Sequence, residues 1–223
     1  MALLITLLLI IHIAGGFTAL ISGFIAAITQ KGGPAHRKTG KIYFWGMTIV
    51  FITAISLGIL KENWFLFMVG FFSYYMVVRG YRILYLKKLG AGQKAAPLDW
   101  AIAITAIHFG AALVISSLVH GLGGFNPVPF VFGALAISFA IKDVRLFLNG
   151  PSSKQHWLYV HIAGMGGGYI ATWTAFLVTN IHFLPPVLVW LAPTVIGSTC
   201  IGITIRKYRK QAAAPRATRT VAA

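Results

Sequence analysis

Acidic residues are nearly missing from this chain. Three Asp and Glu stand against 19 Lys and Arg in 223 residues, a formal net charge of +16. Three carboxylates are too few for a carboxylate-rich metal site or an ordinary hydrolase dyad. Charged residues make up only 10% of the chain, against about 25% in soluble domains, and hydrophobic residues make up 58%. The composition therefore excludes an ordinary soluble domain and favours a membrane protein.

Cysteine and the familiar catalytic motifs are also scarce. Cys200 is the only cysteine, which excludes a disulfide framework and a cysteine-based metal site. The sequence contains no Walker loop, no nucleophile elbow and no HExxH pattern. The last apolar run contains no lysine that could carry a retinal Schiff base. Histidine, present seven times, is then the residue to which chemistry can be assigned.

Long apolar runs are what the chain does contain, and they predict an all-α bundle of seven transmembrane helices. The predicted spans are 1–28, 42–60, 64–86, 100–119, 127–148, 156–180 and 187–205. Asp99 is placed to cap the fourth of them. Residues 1–205 are thus predicted to form one transmembrane domain. Residues 206–223 are predicted to be a basic, disordered cytoplasmic tail.

The basic residues predict how these spans are oriented. With seven spans, every Lys and Arg except Lys61 falls on the same side of the membrane. The positive-inside rule then places the N-terminus outside and the C-terminus in the cytoplasm. We expect a multi-pass protein of the cell inner (cytoplasmic) membrane whose basic residues meet anionic lipid headgroups. Nucleic acid is not an expected partner.

Four histidines share a local pattern that favours a bound macrocycle. Each has small residues three or four positions later, on the same helical face; the four are His12, His36, His108 and His161. Haem iron accepts histidine as an axial ligand, and a flat ring needs small neighbours to lie against a helix. The pattern predicts haem b held through iron by these histidines. The residues predicted to make room for the ring are Gly164, Gly167 and Gly168.

Depth along the helices predicts which histidines could meet. At 1.5 Å per residue, His12 lies about 16 Å and His108 about 12 Å from the ends of their predicted spans, near the midplane of the bilayer. His161 lies only about 6 Å from the cytoplasmic end of its span, nearer to His36. The pairs His12 with His108 and His36 with His161 are therefore allowed, and a single site is equally compatible.

Asp143 is the one acid well inside a predicted span. It is level with Arg79 and Arg82, and an unpaired acid at that depth would be costly. We therefore expect Asp143 to pair with one of these arginines. The functional alternative is that Arg79 or Arg82 holds an anionic group, such as a haem propionate or a lipid phosphate.

Two stretches resemble a family of predicted bacterial integral membrane proteins of unknown function. Residues 36–43 fit its HRxxGxxY signature. The run GYIA at 168–171, followed by TAFLV at 174–178, is similar to its late helix, in which a histidine, here His161, precedes the run. WLAPTVIG at 190–197 also resembles the last span of that family. More distantly, the histidine-bearing helices are similar to those of transmembrane b-type cytochromes. The chain departs from two-haem cytochromes because no helix carries two histidines thirteen or fourteen residues apart.

Together these features predict an integral membrane b-type haem protein that moves electrons in or across the cytoplasmic membrane. Its expected partners are the lipid bilayer and a quinone or a small redox protein. One alternative is a small transporter or proton-conducting protein, in which His12, His108 and His161 form a relay with Asp143. Another is a non-catalytic membrane scaffold whose histidines bond backbone carbonyls and whose glycines pack helices.

Overall fold

The protein is described by a computed structural model that covers residues 1–119 and 126–213. Regular structure in these residues is helical, apart from an isolated bridge between Leu89 and Gln93. The helices are α1 (Ala2–Ile28), α2 (Pro34–Leu60), α3 (Trp64–Arg82) with a 3₁₀ turn (Ile83–Tyr85), α4 (Pro97–Val119), α5 (Pro127–Asn149), α6 (His156–Asn180) and α7 (Pro186–Ala213). The all-α prediction is confirmed for the described part of the chain.

Four of these helices are long and apolar enough to cross a membrane: α1, α2, α4 and α7. The length and composition of these four helices indicate a membrane protein. Most helix ends fall close to the predicted ones, and α6 has the predicted bounds. Three helices are clearly longer than the predicted spans, because α2 begins at Pro34, α4 begins at Pro97 and α7 continues to Ala213.

Local chemistry explains where the helices start and stop. Pro34 and Pro127 occupy first-turn positions, where a missing N–H costs nothing. The side chains of Asn63 and Asn126 cap α3 and α5 by accepting from main-chain N–H groups. Asp99 lies inside the first turn of α4 rather than before it, and its carboxylate accepts from the N–H of Ala96. The predicted turn at 121–126 lies largely outside the described residues. Of the tail predicted at 206–223, residues 206–213 are helical, as the end of α7, and the rest lies outside the described residues.

Glycines set the closest helix contacts. Three helix pairs meet glycine on glycine: α1 with α2 at Gly15 and Gly46, α4 with α5 at Gly110 and Gly133, and α3 with α6 at Gly80 and Gly164. A missing side chain on both helices lets their backbones approach, which is how helices gain contact in lipid. The buried core lies mainly between α3, α4 and α5, around residues such as Met76, Leu113 and Ala136.

The loops gather the basic residues at one end of the bundle. This basic end is formed by residues 29–33, by residues 83–96, by residues 150–155 and by the last turns of α7. Of the Lys and Arg in the described residues, only Lys61 lies at the opposite end. Contacts across the basic end include the bond from the His156 imidazole to the carbonyl of Leu86, 3.1 Å long. Along the chain, each helix from α1 to α5 packs against the next one, and α6 packs against α7.

Candidate functional site

His36 and His161 come together at the basic end. Their ring centroids are 6.2 Å apart and the ring planes are inclined by 74°. His36 lies in the first turn of α2 and His161 in the second turn of α6. Of the two predicted histidine pairs, this is the one that the structure brings into contact.

The hydrogen bonds of this pair fix which nitrogen carries the proton. Nδ1 of His36 lies 2.9 Å from the carbonyl oxygen of Ala26, and Nδ1 of His161 lies 2.8 Å from that of Gly80. A carbonyl only accepts, so Nδ1 donates in both rings, and in the neutral imidazole each Nε2 keeps its lone pair. This is the arrangement that second-shell carbonyls impose on metal-bound histidines. No described residue hydrogen-bonds either Nε2.

The separation of the two rings is compatible with one metal ion between them. Two imidazoles that share a metal through bonds of about 2 Å have ring centroids about 6 Å apart, close to the separation of 6.2 Å. Gly40, one turn after His36, has open space where a side chain would stand. Among the described residues, no group of three or more His, Cys, Asp or Glu converges on one point. Within the described residues, this pair therefore offers two imidazoles and no third ligating group at the same point.

The glycines of α6 do not leave the room predicted for a ring. A Cβ on Gly164 would lie 2.5 Å from Cα of Gly80. The space beside Gly167 is occupied by Met76, and that beside Gly168 by Val77 and Tyr43. These three glycines bring α6 against α3 and α2, and they leave no space for a ring beside them. The sequence could not separate the two roles, because close packing and ring binding both need small residues.

His12 and His108 lie apart. α1 packs against α2 and α6, whereas α4 packs against α3 and α5, and the described residues of α1 and α4 make no contact. Nδ1 of His12 lies 2.9 Å from Oγ1 of Thr53, a hydrogen bond between α1 and α2. His108 is exposed, and its Nδ1 donates to the carbonyl of Ile104 on its own helix. The structure therefore supplies no contact between these two histidines.

The predicted pairing of Asp143 with an arginine is confirmed. Nε of Arg79 lies 2.6 Å from Oδ2 of Asp143, and both side chains are 7% exposed. The hydroxyl of Tyr75 donates to the same Oδ2 over 2.7 Å. Tyr75 precedes Arg79 by four residues and so shares its helix face, a spacing that could have been recognised in the sequence. Nη1 of Arg79 is buried without a partner in the described residues.

Arg82 forms a second ion pair that the sequence reasoning missed. Its Nε lies 2.7 Å from Oδ1 of Asp99, whose side chain is 1% exposed while that of Arg82 is 31% exposed. Both predicted anion-binding arginines thus face carboxylates of the chain itself. A cavity of about 20 Å³ lies between the two pairs, which is enough for about one water molecule.

A far larger cavity, of about 1100 Å³, runs through the bundle. Its lining includes His12 and Arg79 but neither His36 nor His161. Most of the other lining residues are apolar. The histidine pair and the cavity are therefore two separate features.

Comparison with known proteins assigns neither a family nor a function to the chain. No protein-family model, curated protein or solved structure matches the chain. The resemblance to a family with the HRxxGxxY signature therefore stays a prediction. Tyr43, the last residue of that signature, is 2% exposed, and its hydroxyl has no partner in the described residues.

Proposed function

We propose that the chain is a multi-pass protein of the cytoplasmic membrane that binds haem b and transfers electrons. α3, α5 and α6 have 19, 23 and 25 residues, which is long enough to cross a hydrocarbon core of about 30 Å. Seven spans and the basic end together favour an external N-terminus. A C-terminal green fluorescent protein that folds and fluoresces, with an inactive C-terminal alkaline phosphatase, would support this orientation.

The contact between His36 and His161 carries the haem proposal. Both rings donate through Nδ1 to carbonyls, so both Nε2 atoms are available as ligands. His36 and His161 would hold the iron, and haem iron supplies one-electron redox chemistry. The carbonyls of Ala26 and Gly80 orient the two rings and raise their basicity as ligands.

Absorption spectra of the purified protein test this proposal. We expect a Soret band in detergent and α and β bands after dithionite. The bands should be lost in His36→Ala and in His161→Ala and kept in His108→Ala and His182→Ala, which remove exposed histidines. His161→Met should retain haem at a higher reduction potential, because a thioether ligand favours reduced iron.

A fold control keeps the result interpretable. Each variant should elute at the wild-type position in size exclusion and keep the wild-type helical circular dichroism. Wild-type protein that is produced with sufficient haem and still shows no Soret band would refute the proposal. Bands that survive in both His36→Ala and His161→Ala would refute the assignment of the ligands.

A further inference from the structure

Part of the large cavity forms a long trough along α7. Seven α7 residues line it, and they recur every three or four positions on one face of the helix: Trp190, Thr194, Ser198, Ile201 with Gly202, Ile205 and Arg209. At 1.5 Å per residue this face is about 28 Å long, nearly the thickness of a bilayer core. We call this part of the cavity the α7 trough.

α5 and α6 complete its walls. One face of α5 contributes Phe132, Leu135 and Phe139. One face of α6 contributes Ala163 and Gly167. These side chains are apolar or small, so the walls can accept a hydrocarbon chain but offer few groups for a polar solute.

Each wall ends in a polar residue at the basic end. Lys142 ends the face of α5, Tyr159 that of α6, and Arg209 that of α7. The guanidinium of Arg209 lies 5.1 Å from the ring centre of Tyr159, and Nζ of Lys142 lies 5.3 Å from that of Phe139. No acidic residue lines the cavity in the described part of the chain.

The charges at this end are therefore unbalanced. Arg79 also lines the cavity, but Asp143 neutralises it. Neither Lys142 nor Arg209 pairs with a carboxylate among the described residues, whose ion pairs are Arg79 with Asp143 and Arg82 with Asp99. Two uncompensated cations at the mouth of an apolar channel favour an anion with a long apolar tail.

The opposite end of the trough is closed by aromatic rings. Trp190 packs against Phe65 and Phe132, at ring-centre distances of 5.3 Å and 5.9 Å. Midway along α7, a Cβ added to Gly202 would meet no atom within 4 Å. The trough is thus open along its middle, basic at one end and aromatic at the other.

We propose that the α7 trough binds one molecule of an anionic membrane phospholipid. Its phosphate lies at Lys142 and Arg209, and an acyl chain runs along α7 towards Trp190. This site is independent of the histidine pair and of any haem.

Native mass spectrometry of the full chain in detergent tests the site. The probes are phosphatidylglycerol and phosphatidylcholine with identical acyl chains. We expect phosphatidylglycerol to bind first and more tightly. Lys142→Gln and Arg209→Gln should each weaken its first binding step about fivefold, whereas Lys210→Gln, outside the lining, should leave that step unchanged.

A second pair of variants tests the channel rather than the charge. Gly202→Leu fills the middle of the trough and should abolish the first binding step, while Ala192→Leu adds the same bulk on an exposed face of α7 and should not. Should Gly202→Leu fail to fold, as judged by its thermal unfolding in detergent, Ser198→Leu fills the neighbouring turn.

Three results would overturn the proposal. Equal binding of the two phospholipids to wild-type protein would show that the anionic headgroup is not recognised. An equal loss in Lys210→Gln and Arg209→Gln would indicate a diffuse surface charge effect. A wild-type dimer that is lost in Gly202→Leu, without change in lipid binding, would mean that a second copy of the chain covers the trough.

Discussion

Gly164→Ala is expected to push α3 and α6 apart at their closest contact. The new Cβ would lie 2.5 Å from Cα and 2.6 Å from N of Gly80, and 2.8 Å from the carbonyl oxygen of Met76. Ordinary contacts begin near 3.4 Å, so the helices must separate by about 1 Å. All three atoms belong to the backbone and cannot rotate away.

The expected cost follows from two opposing terms. Alanine gains about 1 kcal/mol over glycine in helix propensity, while overpacking a tight contact costs about 1–3 kcal/mol. Because the new Cβ would clash only with backbone atoms, we expect the upper end of that cost. The free energy of unfolding should then fall by about 2 kcal/mol. The separation should also lengthen the bond from His161 to the carbonyl of Gly80, which is 2.8 Å now.

Unfolding by sodium dodecyl sulfate from a mild detergent, followed by circular dichroism, measures the loss. Gly16→Ala is the matched control, because a Cβ there meets nothing within 4 Å. That control should be neutral or more stable by up to about 1 kcal/mol. If Gly164→Ala proved as stable as Gly16→Ala, the close contact between α3 and α6 would be refuted.

The two ion pairs give two further predictions, measured by the same unfolding assay. Asp143→Asn should destabilise the protein by about 3–5 kcal/mol, because it leaves the buried guanidinium of Arg79 uncompensated; Asp143→Leu combined with Arg79→Met should recover much of that loss. Asp99→Asn should cost only about 1–2 kcal/mol, since the half-exposed side chain of Arg82 can be hydrated instead. Equal losses for Asp143→Asn and Asp99→Asn would contradict this reasoning from burial.

The elements that follow from hydrophobic runs and from proline or glycine were predictable. The helical class, the bounds of α6 and the start of α5 at Pro127 are examples. The early start of α2 was not, because residues 34–41 are polar and basic and look like a loop. They form a helix since Pro34 suits a first turn and their charged side chains point outward. Likewise, α7 extends past Ile205 because its last turns contain good helix formers such as Lys and Ala.

The candidate site was predictable only in part. Residue spacing allowed both His36 with His161 and His12 with His108, and depth alone could not choose between them. The choice depends on which helices are neighbours, and that is set by glycine contacts between distant segments, such as Gly80 with Gly164. The α7 trough could not be predicted either. Its walls come from three helices, and the sequence does not specify how these helices are rotated relative to one another.

The hydrogen bonds of the histidine pair connect two halves of the bundle, α1 with α2 and α3 with α6. The ring of His36 is tied to α1 through Ala26, and the ring of His161 is tied to α3 through Gly80. Four helices therefore converge on one ring-to-ring contact. A rotation of α1 and α2 relative to α3 and α6 would shear that contact, so the distance between the two rings reports the relative position of the two halves.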